Sequence, residues 1–371
     1  MVVESGTAAS RLIFSTLLIA LTLLAYFVPY YDWDLVAYTG AAIALRERDV
    51  KTIQSEAYAA LRRELPEDDY QEIVSGSAFR RDVAGNPDHF SQQLRFYQIR
   101  PLYIRLLAFF RTAGLGYVQA TRLLSALAFL LLGLVLLRWA RRYIGEWRAA
   151  IGVPLLLITP AIFTGARTGS PDALSALVVT LGTYWLFERK RLLLGASLLL
   201  ISLFLRSDNV IFVFFLLAWM ALAKNRPLRP MLAGVLAVLS LAIVVAINRV
   251  EHGYGWQVLM QNTSSPIVNP AEVTPTFTAA DYLSAVHEMV DEGRESSVLV
   301  FPFLAALALL SHRLTREWRQ LVVIVLLSSA AHIVLFPHIE DRYFVAGSAI
   351  IGVAVLTGLL SPPDVSRDAV V

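Results

Sequence analysis

Residues 11 to 34 read RLIFSTLLIALTLLAYFVPYYDWD, and this stretch decides the fold. Its first twenty residues hold a single charge, Arg11, at the leading edge. A helix of that length rises about 30 Å, the thickness of a bilayer's hydrocarbon layer. No small-residue cleavage pattern follows, so the run reads as a retained signal anchor rather than a removable leader. Two carboxylates, Asp32 and Asp34, stand immediately beyond it. An acid at the lip of a bilayer is a candidate for chemistry, although Tyr26, Phe27, Tyr30, Tyr31 and Trp33 would make an interfacial aromatic belt in any case.

The rest of the chain extends the same pattern. Of 371 residues, 57% are hydrophobic and 16% charged, and the mean hydropathy is +0.59. That much apolar surface does not fit inside a soluble core and implies an integral membrane protein. There is no cysteine, which excludes disulfides and thiolate metal sites. Further apolar runs fall near 117–139, 149–165, 172–187, 192–205, 209–223, 230–248, 298–311, 319–336 and 343–360. With the first run they predict an all-α polytopic protein of about ten transmembrane helices. Residues 1–360 then form one integral membrane domain, and 361–371 a loose tail. No internal repeat is evident.

Orientation follows from cationic connections, which are retained in the cytoplasm. Arg138, Arg141, Arg142 and Arg148, then Arg189, Lys190 and Arg191, then Lys224, Arg226 and Arg229, then Arg313, Arg316 and Arg319 mark four such connections. The two long loops, 31–100 and 249–297, lean acidic, with twelve Asp/Glu against nine Lys/Arg and seven against two. They are expected outside, with both termini cytoplasmic. Within the first loop, 35–45 is apolar enough for a helix along the membrane surface, 50–65 reads as an amphipathic helix stopped by Pro66, and 101–111 is apolar but too short to span. The acids between Glu67 and Glu72 read as a solvated face.

A second signal is a ring of charge at the outer helix ends: Arg167 with Asp172, Arg206 with Asp208, Arg249, and the run Glu340-Asp341-Arg342-Tyr343. Each turn alone is accounted for by snorkelling or helix capping. Four together imply a shared polar site, because charge at membrane depth is costly unless paired or wetted. Arginine's planar fork suits a phosphate. No second histidine or acid stands at metal-ligand helical spacing beside His332, and both His332 and His338 read as structural.

Asp32-Trp33-Asp34 stands after the first run, Arg100-Pro101-Leu102-Tyr103 before Arg122-Leu123-Leu124-Ser125-Ala126, then Ser170-Pro171-Asp172-Ala173-Leu174, and late in the chain Asp341-Arg342-Tyr343. In the order of these elements and in topology the chain resembles the polytopic GT-C glycosyltransferases. The resemblance implies transfer of a sugar from a polyprenyl-phosphate carrier to a glycan, lipid or protein acceptor on the extracytoplasmic face. It also implies an essential acid in the first outer loop, Asp34 or Asp32. The family's acidic pair is adjacent, whereas here Trp33 intervenes. Asp34 is favoured, since Tyr38 would stand one helical turn on along the same face.

An inverting transfer of this kind needs a carboxylate to accept the acceptor's proton and cations to stabilise the departing phosphate. Asp34 fits the first role, and Arg167, Arg206 and Arg342 the second. Tyr38, Arg100, Tyr103, Asp172, Asp208, Asp341 and Tyr343 are the expected lining of the substrate pocket. No metal or other cofactor is expected for a monophosphate donor; a diphosphate would call for a divalent cation held by Asp32 and Asp34. Membrane lipids are the expected surroundings, nucleic acid is not an expected partner, and the absence of large soluble domains fits a bacterial inner membrane. The competing reading, a transporter or flippase of a lipid-linked or anionic substrate, would favour inverted repeats and helices broken at the bilayer midplane.

Overall fold

The computed structural model describes residues 2–223, 228–273, 278–295 and 297–362. Lys224 and Arg226 of the third basic connection, and the tail from 363 onward, lie outside the described residues. Among those residues the chain is helical throughout, with no strand beyond one isolated bridge, Tyr30 to Thr168.

The first helix, α1 (Val2–Phe27), leads into a cap of six short helices: α2 (Asp34–Ile43), α3 (Val50–Glu64), α4 (Glu67–Ser75), α5 (Ala78–Gly85), α6 (Pro87–Gln98) and α7 (Pro101–Thr112). Local chemistry sets their ends. Asp49 caps α3 by accepting from the Thr52 N–H at 2.9 Å, and Leu65-Pro66 stops it. Asn86 caps α6, while Pro87 and Pro101 open α6 and α7 at the first turn, where a missing N–H costs nothing. The cap has its own core, with Val36, Ile43, Leu61, Phe90 and Leu107 all fully buried. Gly40 allows α2 to lie against α6, because a Cβ there would stand 2.7 Å from the Phe90 ring.

The bundle follows: α8 (Tyr117–Leu157), α9 (Pro160–Arg167), α10 (Asp172–Thr183) with a π-turn at Tyr184–Glu188, α11 (Leu192–Ser202), α12 (Asn209–Leu222) and α13 (Pro230–Val250). Two helices of the second long loop, α14 (Trp256–Ser264) and α15 (Ala279–Glu295), precede α16 (Val300–Leu310), α17 (Arg316–Leu335) and α18 (Val345–Leu360). Helix α8 packs on α1, α10 and α18, and α12 packs on both α13 and α17.

Five elements are long and apolar enough to cross a membrane: 8–27, 117–157, 230–250, 316–335 and 341–360. The other apolar helices have 10–17 residues, so among the described residues length and composition alone mark five candidate crossings of the about ten expected. The runs 117–139 and 149–165, expected as two spans, begin in one element that breaks only at Gly145, whose φ of 78° is left-handed. One glycine there turns the chain without a loop. Large apolar side chains such as Leu193 and Met231, each 83% exposed, require an apolar surround.

Three of the four basic connections meet at one end of the bundle. Arg148 donates to Leu360 O, Arg313 to Leu359 O and Ser361 O, Arg142 pairs with Glu188 at 2.8 Å, and Lys190 with Glu317 at 3.5 Å. Arg11, near the start of α1, lies 4.0 Å from Glu146 at that end. The far end of α1 reaches the cap, where Arg122 donates to Tyr26 O and stacks on its ring at 4.5 Å.

Candidate active site

Asp32 lies in the six residues between α1 and α2 and Asp34 opens α2, and the bundle fixes this connection at two points. Tyr30 N–H donates to Arg167 O at 3.0 Å, Arg167 Nε donates to Val28 O at 2.6 Å, and Ser125 Oγ donates to Thr168 O at 2.8 Å beneath them. Trp33 is 8% exposed, wedged edge-on against Phe79 and Tyr97. The residue that separates the two acids therefore anchors the turn and leaves both carboxylates on the opposite side.

There they meet Arg342. Its Nη1 donates to Asp34 Oδ2 and, at 3.2 Å, to Asp32 Oδ2, while its Nε donates to Glu340 Oε2. Asp34 Oδ1 accepts from the Tyr97 hydroxyl at 2.7 Å. Asp32 Oδ1 is buried without a hydrogen-bond partner among the described residues. Burial first and the neighbouring Asp34 charge second push the Asp32 carboxyl up to about 8, only partly opposed by Arg342. Glu340 is the converse case: burial works against its charge, yet Arg342 and His338 hold it down at about 2. Both acids, Glu340 and Arg342 line a cavity of about 740 Å³, with Gln93, Asn262 and Asp341 among its other polar walls.

A second polar cluster lies alongside. Arg206 spends its guanidinium on two acids: Nε and Nη2 reach the two oxygens of Asp208 at 3.1 and 2.6 Å, and Nη1 donates to Asp172. Asp172, 4% exposed, also takes the Ser170 hydroxyl at 2.5 Å. Burial disfavours the Asp208 charge, but Arg206 overcomes it and lowers that carboxyl well below its usual range. Asp208 and Arg206 line another cavity, of about 320 Å³, together with Arg95, Arg100 and Tyr343. Much of its remaining wall is apolar, from Val210 and Ile211 on α12, Val244 on α13, and Leu335 and Phe336. Tyr343 and His338 border both cavities, and the Tyr343 ring faces Arg206 at 5.1 Å and Arg342 at 5.6 Å.

Set against the sequence expectations, Asp32, Asp34, Arg342, Asp341 and Tyr343 share one cavity, and Arg100, Arg206, Asp208 and Tyr343 the other. Asp341 is tied to Ser297. The expected three-arginine clamp does not assemble. Arg167 is spent on Val28 O and on the Phe163 ring at 5.9 Å, and Arg206 and Arg342 are engaged by carboxylates. Arg249 is exposed at the end of α13. Tyr38 and Tyr103 are fully buried behind the cavity wall, packed edge to face at 5.0 Å, because the apolar stripe of α2 faces the cap core. Glu72, read as part of a solvated face, pairs with Arg80 at 2.7 Å on the rim of the larger cavity.

Tyr97 escaped the sequence reading altogether. It is one aromatic among several in an amphipathic helix, and no spacing signals its contact with Asp34, sixty-three positions away. No family model, no curated protein and no solved structure matches this chain.

Proposed function

We propose that the protein is a membrane glycosyltransferase that moves a sugar from a polyprenyl-phosphate carrier to a glycan, lipid or protein acceptor on the extracytoplasmic face of a bacterial inner membrane. The observation that carries this reading is the convergence of Asp32, Asp34 and Arg342 on one polar cavity that borders, across Tyr343 and His338, an apolar-walled cavity bearing arginines. The first suits a sugar and an acceptor hydroxyl; the second suits a lipid tail with an anionic head.

In this reading the acceptor hydroxyl attacks the anomeric carbon. Its proton passes to Asp34, the new C–O bond forms, and the old bond to the carrier's phosphate oxygen breaks, with the electron pair leaving on the phosphate. Tyr97 orients Asp34, and Arg342 holds both acids in register. Asp32, which keeps its proton to a higher pH, spares the site a second adjacent anion.

The membrane topology belongs to the same proposal. Ten crossings arise if 146–167, 172–188, 192–206, 209–222 and 300–310 cross as shorter or jointed helices beside 8–27, 117–144, 230–250, 316–335 and 341–360. The basic end then lies in the cytoplasm and the cap outside.

Mass spectrometry of lipid-linked sugars and envelope glycans, with and without this protein, tests the assignment. Accumulation of one prenyl-linked sugar with loss of its glycan product is the expected result. Unchanged profiles of both would overturn it.

A further inference from the structure

The charge inventory of the two cavities leaves two guanidiniums, Arg100 and Arg95, without an ion pair among the described residues. Arg206 and Arg342 each face at least two carboxylates. Arg100 makes no ion pair among the described residues; its only hydrogen bond there is a long one, 3.4 Å to Phe96 O. It is held instead by two ring faces, Tyr38 at 5.5 Å and Tyr97 at 5.6 Å, and the charges of Asp34 and Asp208 reach it only from beyond ion-pair distance. Arg95, exposed and stacked on Tyr254 at 5.7 Å, also has no ion pair among the described residues and lines the same 320 Å³ cavity. The one carboxylate bordering that cavity, Asp208, is already bound by Arg206. The cavity is therefore net cationic, while α12, α13 and α17 give it an apolar side. Helix α13 is the most lipid-like of the long helices, with 17% of its apolar window buried against 67% for the last.

The geometry points to this cavity as the seat of a phosphate carried on a long apolar chain, its oxygens on Arg100 and Arg95 and its chain between α12, α13 and α17. A desolvated guanidinium without a partner gains most from an anion that brings its own charge. A free inorganic phosphate would satisfy the arginines but leave Val210, Ile211 and Val244 facing nothing. The inference deepens the glycosyltransferase reading by moving the phosphate from Arg167, Arg206 and Arg342 to Arg100 and Arg95, and it rests on that reading for its biological ligand.

Binding separates the two. Calorimetry on the full chain in detergent micelles would use farnesyl monophosphate, farnesol and inorganic phosphate as probes. The wild type should bind farnesyl monophosphate more tightly than either fragment. Arg100→Ala should weaken it about tenfold or more, consistent with loss of a charge-assisted contact, with Arg100→Lys between the two, and neither change should alter farnesol. Should Arg100→Ala fail to fold, Arg100→Lys and Val210→Trp carry the test, the latter expected to lose the lipid probe but keep inorganic phosphate. Farnesyl monophosphate bound equally by wild type and both Arg100 variants overturns the inference, as does inorganic phosphate binding as tightly as the lipid. Arginine-dependent lipid binding in a protein that transfers no sugar would sink the enzyme assignment and leave this site standing.

Discussion

The two cavities share a wall and differ in almost everything else. The larger is lined by Asp32, Asp34, Glu340 and Asp341 against Arg342 and Arg80, so acids outnumber bases; the smaller sets Arg95, Arg100 and Arg206 against Asp208 and is walled in good part by aliphatic side chains. A chain that placed its charges only for solubility would have no reason to sort them by sign on either side of one tyrosine. Sorting is what a group transfer asks for: a proton acceptor where the nucleophile lies and cations where the leaving group goes. In the neighbouring network of Asp172, Arg206 and Asp208, by contrast, every charge is spent inside the protein.

The comparison breaks hardest at Asp34. Asp34→Asn should lower sugar transfer by about 100- to 10,000-fold while membrane abundance stays near wild type, the range a general base contributes. A transfer assay with purified protein that found the rate intact would move the base to Asp32 or end the proposal. Arg206→Ala should act differently, as a fold defect: stranding the carboxylates of Asp172 and Asp208 in a buried site costs about 3–5 kcal/mol. Thermal unfolding in detergent measures it, and a stable variant with altered carrier dependence would restore Arg206 to the phosphate. Removing the Tyr97 hydroxyl in Tyr97→Phe should slow transfer by about 10- to 100-fold without changing the carrier's apparent KM, the worth of a hydrogen bond to a charged group. A change in KM alone would place Tyr97 in binding.

The last expected effect is on pH. The Asp32 carboxyl is raised from near 4 in the unfolded chain to about 8, so between those values the folded state holds the extra proton. Its contribution to stability is complete below pH 4 and is lost as pH climbs through 8. Asp32→Asn lacks that titration, so its unfolding temperature relative to wild type should rise steadily across the window. A parallel pair of stability curves would show that Asp32 is charged throughout.

Half of the cap helices, α2, α3 and α7, were legible in the chain because local signals fix them, whereas α4, α5 and α6 carry no apolar run to announce them. Asp49, Asn86, Pro66 and Pro101 start and stop helices through their own backbone chemistry, and the apolar runs announce the long helices by length and composition alone. The number of crossings was less legible: an apolar run does not record whether the chain kinks at Gly145 or ends at Thr159. The residues of the charged turns were visible too, but their partners were not. That Asp32 and Asp34 would share Arg342, 308 positions from Asp34, while Arg206 would be consumed by Asp172 and Asp208, is a matter of which helix ends abut.

By itself the sequence determined an all-helical chain with membrane-length segments and acids beside its first apolar helix, because hydropathy, capping and proline act over a few residues. Only the tertiary structure decided that Tyr97 donates to Asp34, that Tyr343 parts two cavities, and that Arg100 is held by ring faces with no ion pair among the described residues. Charge compensation is a property of distances across the fold, and distances between remote segments are set by packing.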